Sequence, residues 1–133
     1  MKAVFADTFF FLAAVNPRDA AHERTIALSN RHQGGIVTTD WVILELANAL
    51  AGARNRGAFL ELHASLREDP RVKIVALDAG LQTRGLGLYA QRLDKDWSLT
   101  DCISFLVMSG EGLTDALTGD HHFEQAGFNA LLK

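Results

Sequence analysis

Two stretches of this chain each carry a single ionised side chain in otherwise apolar surroundings. From Trp41 to Ala53 it is Glu45, among Val42, Ile43, Leu44, Leu46, Ala47, Ala49 and Leu50. From Leu99 to Gly110 it is Asp101, among Cys102, Ile103, Phe105, Leu106, Val107 and Met108. A carboxylate among apolar residues is costly unless it is paired, hydrogen-bonded or bound to a cation. Asp7 and Asp120 each follow a short apolar run, Val4-Phe5-Ala6 and Ala116-Leu117-Thr118-Gly119. Unneutralised carboxylates brought together raise one another's pKa, a conflict that a divalent cation resolves. A ligand set of oxygens alone suits Mg²⁺ or Mn²⁺ rather than zinc. Such a centre can activate water and neutralise negative charge on a bound group.

The elements that must position these acids alternate in type. Short apolar runs at Ala3–Ala6, Ile36–Thr38, Val72–Leu77 and Ala116–Thr118 read as strands, with a last edge strand within Phe128–Leu132. Between them, helices are expected over 9–15, 19–31, 41–53, 57–68, 79–93 and 99–109. The Trp41 and Leu99 helices are apolar nearly all round, which places them in an interior. Strands alternating with helices, without a long linker, predict one α/β domain over residues 1–133 with a largely parallel sheet. In such a sheet the carboxyl ends of the strands and the starts of the following helices share one edge, where ligands bind. All four acids fall on that edge.

Composition narrows the partners. With 13 basic and 16 acidic side chains the formal charge is −3, so no basic coat surrounds the protein. A polyanion must be held by a local basic patch or through a metal. One cysteine, Cys102, cannot form an internal disulfide, and no Cys/His spacing suggests zinc. A reducing, cytoplasmic setting follows. The apolar run Phe9–Val15 is short for a secretion-signal core and Asp7 precedes it, and the run from Trp41, broken by Glu45, is too short for a membrane helix. No membrane partner is expected.

The same residues carry a family resemblance. Val4-Phe5-Ala6-Asp7-Thr8, then Thr38-Thr39-Asp40 leading into Glu45-Leu46-Ala47-Asn48, then Ser98-Leu99-Thr100-Asp101-Cys102, then Leu117-Thr118-Gly119-Asp120-His121-His122-Phe123 and Ala126-Gly127-Phe128 follow in order. In these blocks the chain resembles the PIN-domain family, and within it the VapC-like toxin ribonucleases. The resemblance implies a Mg²⁺- or Mn²⁺-dependent endoribonuclease on a four- or five-stranded parallel sheet flanked by helices. It matches Asp7, Glu45, Asp101 and Asp120 to the family's acidic quartet, and implies a homodimer and an antitoxin partner.

Around the quartet, Thr8, Ser98 and Thr100 are placed to hydrogen-bond a carboxylate or a phosphate, or to cap helices. Asn48 lies one turn after Glu45 on the same face. Arg18, Arg24, Arg54 and Arg56 are candidate RNA contacts. His121 and His122 have the types for zinc or for a general base, but metal-activated water needs no histidine, and both are read as loop residues. Asp40 reads as a helix cap. Taken singly, Asp7 and Asp120 are more often caps than ligands, and Glu45 and Asp101 could favour positive helix ends. The alternatives to a nuclease are a non-catalytic PIN-like module that binds RNA or protein, and an aspartate-dependent phosphatase or receiver domain. The last lacks its second acid, because Phe9 stands two residues after Asp7.

Overall fold

The computed structural model describes all residues from Met1 to Lys133. Five strands, β1 (Val4–Ala6), β2 (Ile36–Thr39), β3 (Val72–Val75), β4 (Asp115–Leu117) and β5 (Asn129–Ala130), form one sheet in the order β3-β2-β1-β4-β5. Every neighbouring pair is parallel, with Phe5 opposite both Val37 and Ala116. A central parallel strand is covered on both faces, which is why Val4-Phe5-Ala6 is apolar without alternation and wholly buried.

The chain moves outward from β1 through β2 to β3, then returns to lay β4 on the other side of β1. Strand order therefore reverses between β1 and β4, the position at which open parallel sheets bind ligands. The helices are α1 (Thr8–Val15), α2 (His22–Arg31), α3 (Asp40–Ala49), α4 (Arg56–Glu68), α5 (Ala79–Gln91), α6 (Leu99–Glu111) and α7 (His121–Gln125). Phe5, Phe11, Leu46, Ile103, Met108, Leu117 and Phe123 fill the core. The Phe105 ring meets Trp97 and Phe123 edge-on, both at 5.0 Å between centroids. Trp41 and Phe105 are therefore core residues. No helix is long and apolar enough to cross a membrane.

Several boundaries differ from the sequence reading, each for a local reason. The second helix starts at His22 because the Asp19 carboxylate accepts the Ala21 N–H and holds a turn there. Helix α3 ends at Ala49, four residues early. Its cap is Thr39, whose hydroxyl accepts the Val42 N–H at 3.1 Å. Asp40 is not the cap; its carboxylate accepts the Leu77 N–H and ties α3 to the turn after β3. Helix α6 runs to Glu111, where Gly112 takes the left-handed conformation (φ 70°) that closes a helix end.

Helix α3 is also not interior. Trp41, Val42, Ile43 and Leu46 are buried, but Leu44 is 55% exposed and Glu45 lies on the same open side. Only α6 has the enclosed character expected of both, with Asp101 to Phe105 all buried. On α4, Phe59, Leu62 and Leu66 pack toward the core, leaving Leu60 of that apolar set in solvent.

Candidate active site

Three of the acids meet where β1 and β4 end. Asp7 leaves β1 as the residue before α1, is 5% exposed, and its carboxylate makes no side-chain capping hydrogen bond to that helix. The hydroxyl of Thr118, just past β4 and fully buried, donates to Asp7 Oδ2 at 2.9 Å. The same hydroxyl accepts the Asp120 backbone N–H at 3.1 Å. Thr118 thus fixes one acid and the turn that bears another.

Asp101 enters from α6. Ser98 Oγ accepts the Asp101 N–H at 3.0 Å, and Asp101 Oδ2 accepts the Ser98 N–H at 3.1 Å. This reciprocal capping box locks the helix start and the rotamer of the acid together. His122 Nδ1 lies 3.1 Å from Asp101 Oδ2 and 3.4 Å from Asp120 Oδ1. A carboxylate can only accept, so Nδ1 carries the proton that His122 donates to Asp101. Between Thr118 and Asp120, Gly119 has no room for a side chain: a Cβ there would stand 2.5 Å from Phe9 Cζ. The Phe9 ring presses on the turn and keeps it against the start of α1.

The charges bear the mark of crowding. Burial pushes the Asp7 carboxyl up to about 7 against the lowering Thr118 hydrogen bond, and the charges of Asp101 and Glu45 add to the rise. Asp101 is also raised, by burial first and then by Asp120, against the Ser98 N–H and His122. Glu45 makes no hydrogen bond to the other acids; it faces the site from the exposed side of α3 and reaches Asp7 through its field. The Thr8 hydroxyl, beside Asp7, is buried and has no hydrogen-bond partner. Hard oxygen donors, mutual repulsion and an orphaned hydroxyl fit a divalent cation.

The other candidates play other parts. Ser98 acts through the capping box. Asn48 is exposed and Thr100 half-buried, and neither hydrogen-bonds an acid; the Thr100 carbonyl accepts the Ser104 hydroxyl. Arg24 donates to the Leu132 carbonyl and Arg56 to the Ala51 carbonyl, so both are tied to main chain, while Arg18 and Arg54 are exposed. Sequence reasoning missed Thr118, taken for a strand residue, and His122, taken for a loop residue. The Thr118-Gly119-Asp120 spacing, with a hydroxyl two residues before an acid, is the signal that points to the first.

Residues 4–129, which span β1 to β4, reach the first residue of β5 and include all four acids, match the PIN domain family model. The chain belongs to the PIN-domain family. Among relatives, this PIN domain is 28% identical over 128 residues to the 23S rRNA-specific endonuclease VapC20 of Mycobacterium tuberculosis, covering 94% of this chain and 95% of the relative. The crystal structure of VapC20, described as a Sarcin-Ricin loop cleaving toxin, superposes with a TM-score of 0.86 at 26% identity, over 94% of this chain and 95% of that one. The same PIN fold is shared with VapBC2 from Rickettsia felis (TM-score 0.66, 15% identity, 97% and 96% covered). FitAcB from Neisseria gonorrhoeae shares it too (TM-score 0.66, 20% identity, 96% and 95% covered).

Proposed function

We propose that this PIN domain is an endoribonuclease that hydrolyses RNA phosphodiester bonds at an acidic centre holding Mg²⁺ or Mn²⁺, and that it is the toxin of a toxin–antitoxin pair. The observation that carries the reading is the convergence of Asp7, Asp101 and Asp120 through Thr118 and His122, with Asp7 raised to about 7 by burial and neighbouring charge. The likeness to VapC20 supports RNA as the substrate and toxicity as the outcome.

In this reading Asp7, Glu45 and Asp101 hold the cation, and Asp120 orients the attacking water. When bound, the cation polarises the phosphate and makes water a competent nucleophile near neutral pH. Thr118 keeps Asp7 aimed into the pocket, and the Ser98 cap prevents Asp101 from swinging away. The Thr8 hydroxyl is free to donate to a phosphate oxygen or a water. Because the carboxylates need a counter-charge, the ion also lets a chain of net charge −3 accept an RNA backbone. The substrate places the protein in the cytoplasm.

Two partners belong to this reading. An antitoxin protein restrains the toxin. A second copy covers apolar side chains left in water, among them Leu44, Leu60, Leu86, Tyr89 and Leu93.

The test is cleavage of RNA by the purified protein with Mg²⁺, with Mn²⁺ and with EDTA. Cleavage that needs the ion and stops in EDTA is expected. No cleavage with either ion, or cleavage indifferent to EDTA, overturns the proposal.

A further inference from the structure

Beside the all-oxygen pocket, the geometry points to a second cation subsite of different chemistry: Asp120, His121 and His122 form a three-ligand site for a borderline transition-metal ion such as Zn²⁺ or Co²⁺. The inference shares Asp120 with the nuclease reading but stands on its own distances.

Both imidazoles turn toward one carboxylate oxygen. His122 Nδ1 lies 3.4 Å and His121 Nδ1 3.7 Å from Asp120 Oδ1. One ligand atom from each of the three residues falls within 4.8 Å of the others. Neither Nδ1 contact to Asp120 is a good hydrogen bond, since N–H···O bonds cluster near 2.9 to 3.0 Å. The separations suit an ion instead. Zinc binds imidazole nitrogen and carboxylate oxygen at about 2.0 to 2.2 Å, so two ligands of a tetrahedral ion stand about 3.4 Å apart. The two rings sit 4.5 Å apart, tilted by 54°.

Neighbouring groups fit the assignment. Asp120 is fixed by Thr118 and by the His122 N–H on Oδ1, so the shared ligand is pre-positioned. His121 is 61% exposed, which leaves an open side from which an ion enters and a water or phosphate oxygen completes the shell. Three protein ligands with one open position is the arrangement of zinc sites that exchange ligands. For His122 to ligate through Nδ1, the ring takes the tautomer with its proton on Nε2 and gives up its hydrogen bond to Asp101, whose carboxylate then faces the cation. Imidazole ligands select Zn²⁺, Co²⁺ and Ni²⁺ over Mg²⁺, which prefers oxygen and retains water. The two ions therefore sort between adjacent subsites by ligand type.

Co²⁺ is the probe, because its visible absorption reports nitrogen ligation and coordination number without any assay of RNA cleavage. Titrations are run on the full chain, on His121→Ala and on Asp7→Asn, with circular dichroism to check that each variant is folded. The expected result is binding by the full chain with a low-coordinate spectrum, affinity at least about tenfold weaker in His121→Ala, and binding retained in Asp7→Asn. No Co²⁺ binding by the full chain overturns the inference. Unchanged affinity in His121→Ala, or loss confined to Asp7→Asn, also overturns it by placing the ion in the carboxylate pocket. Should the full chain bind Co²⁺ as expected yet cut no RNA with Mg²⁺ or Mn²⁺, the nuclease reading falls and this site stands.

Discussion

Thr118 donates its hydroxyl proton to Asp7 across 2.9 Å, so the first and fourth strands of the sheet are joined at their ends by a side-chain bond as well as by their ladder. The bond opposes the burial that raises Asp7. In Thr118→Val that opposition disappears and the Asp120 N–H loses its acceptor. Cleavage is expected to need a more alkaline pH than in the unaltered protein, with stability lower by about 1–3 kcal/mol. A pH–rate profile that does not move removes Thr118 from the site.

Asp101→Asn keeps an oxygen for the Ser98 N–H and so keeps the start of α6 intact. It removes the negative charge that the cation requires. Lost metal stabilisation of several kcal/mol corresponds to a fall in cleavage of at least about a hundredfold, with circular dichroism unchanged. Undiminished turnover would sink the assignment of Asp101.

Stability without metal should depend on pH in an unusual direction. The Asp7 carboxyl titrates near 7 when folded and near 3.8 as its reference value. Between those values the folded state holds the extra proton, so stability falls as pH rises from about 4 to about 7 and stays lower above. Asp101, also raised, acts in the same sense. Melting in EDTA should therefore occur at a higher temperature at pH 5 than at pH 8. Asp7→Asn should flatten this trend. Excess Mg²⁺ or Mn²⁺ should raise the melting temperature more at pH 8, where the ligands are ionised, by mass action. A melting curve in EDTA that is flat in pH contradicts the burial of Asp7.

Glu45 sits on the open side of α3, so its charge can be removed without a cavity or a broken bond. Glu45→Gln is expected to change stability by no more than about 0.5 kcal/mol, while Mn²⁺ affinity, measured calorimetrically, falls about tenfold or more. Equal affinity in the variant would leave Glu45 outside the ligand set.

Leu86 and Leu93 are 49% and 86% exposed and line, with Tyr89, a cleft of about 780 Å³ next to Ser98. If a second copy covers them, Leu86→Glu with Leu93→Glu converts a dimer to a monomer in light scattering. The monomer's circular dichroism should be unchanged, because neither side chain supports the core. A monomeric unaltered protein at high concentration removes the dimer from the proposal.

Strand β1 and the start of α6 were legible in the sequence because burial on all sides leaves an uninterrupted apolar run, as at Val4-Phe5-Ala6. Helix α3 misled for the converse reason. Its apolar residues include Leu44, which faces water, so a half-exposed helix carried the composition of a buried one and Glu45 looked enclosed. Thr39 and Asp40 are both capping types, and only the backbone geometry assigns the cap to Thr39. His122 was noted for its type, but its role was not legible. Its partner Asp101 lies 21 residues away on another helix. No spacing rule connects them until the chain has returned from β3 to the far side of β1.

That return of the chain has a consequence during synthesis. β1 emerges from the ribosome first, but its neighbour β4 is made more than a hundred residues later, and Thr118 and Asp120 later still. A nascent polypeptide already bearing Asp7, Glu45 and Asp101 has no fourth strand to align them and no Asp120 to join them. If the chain cuts RNA as proposed, its acidic centre is completed only when its own translation is nearly done.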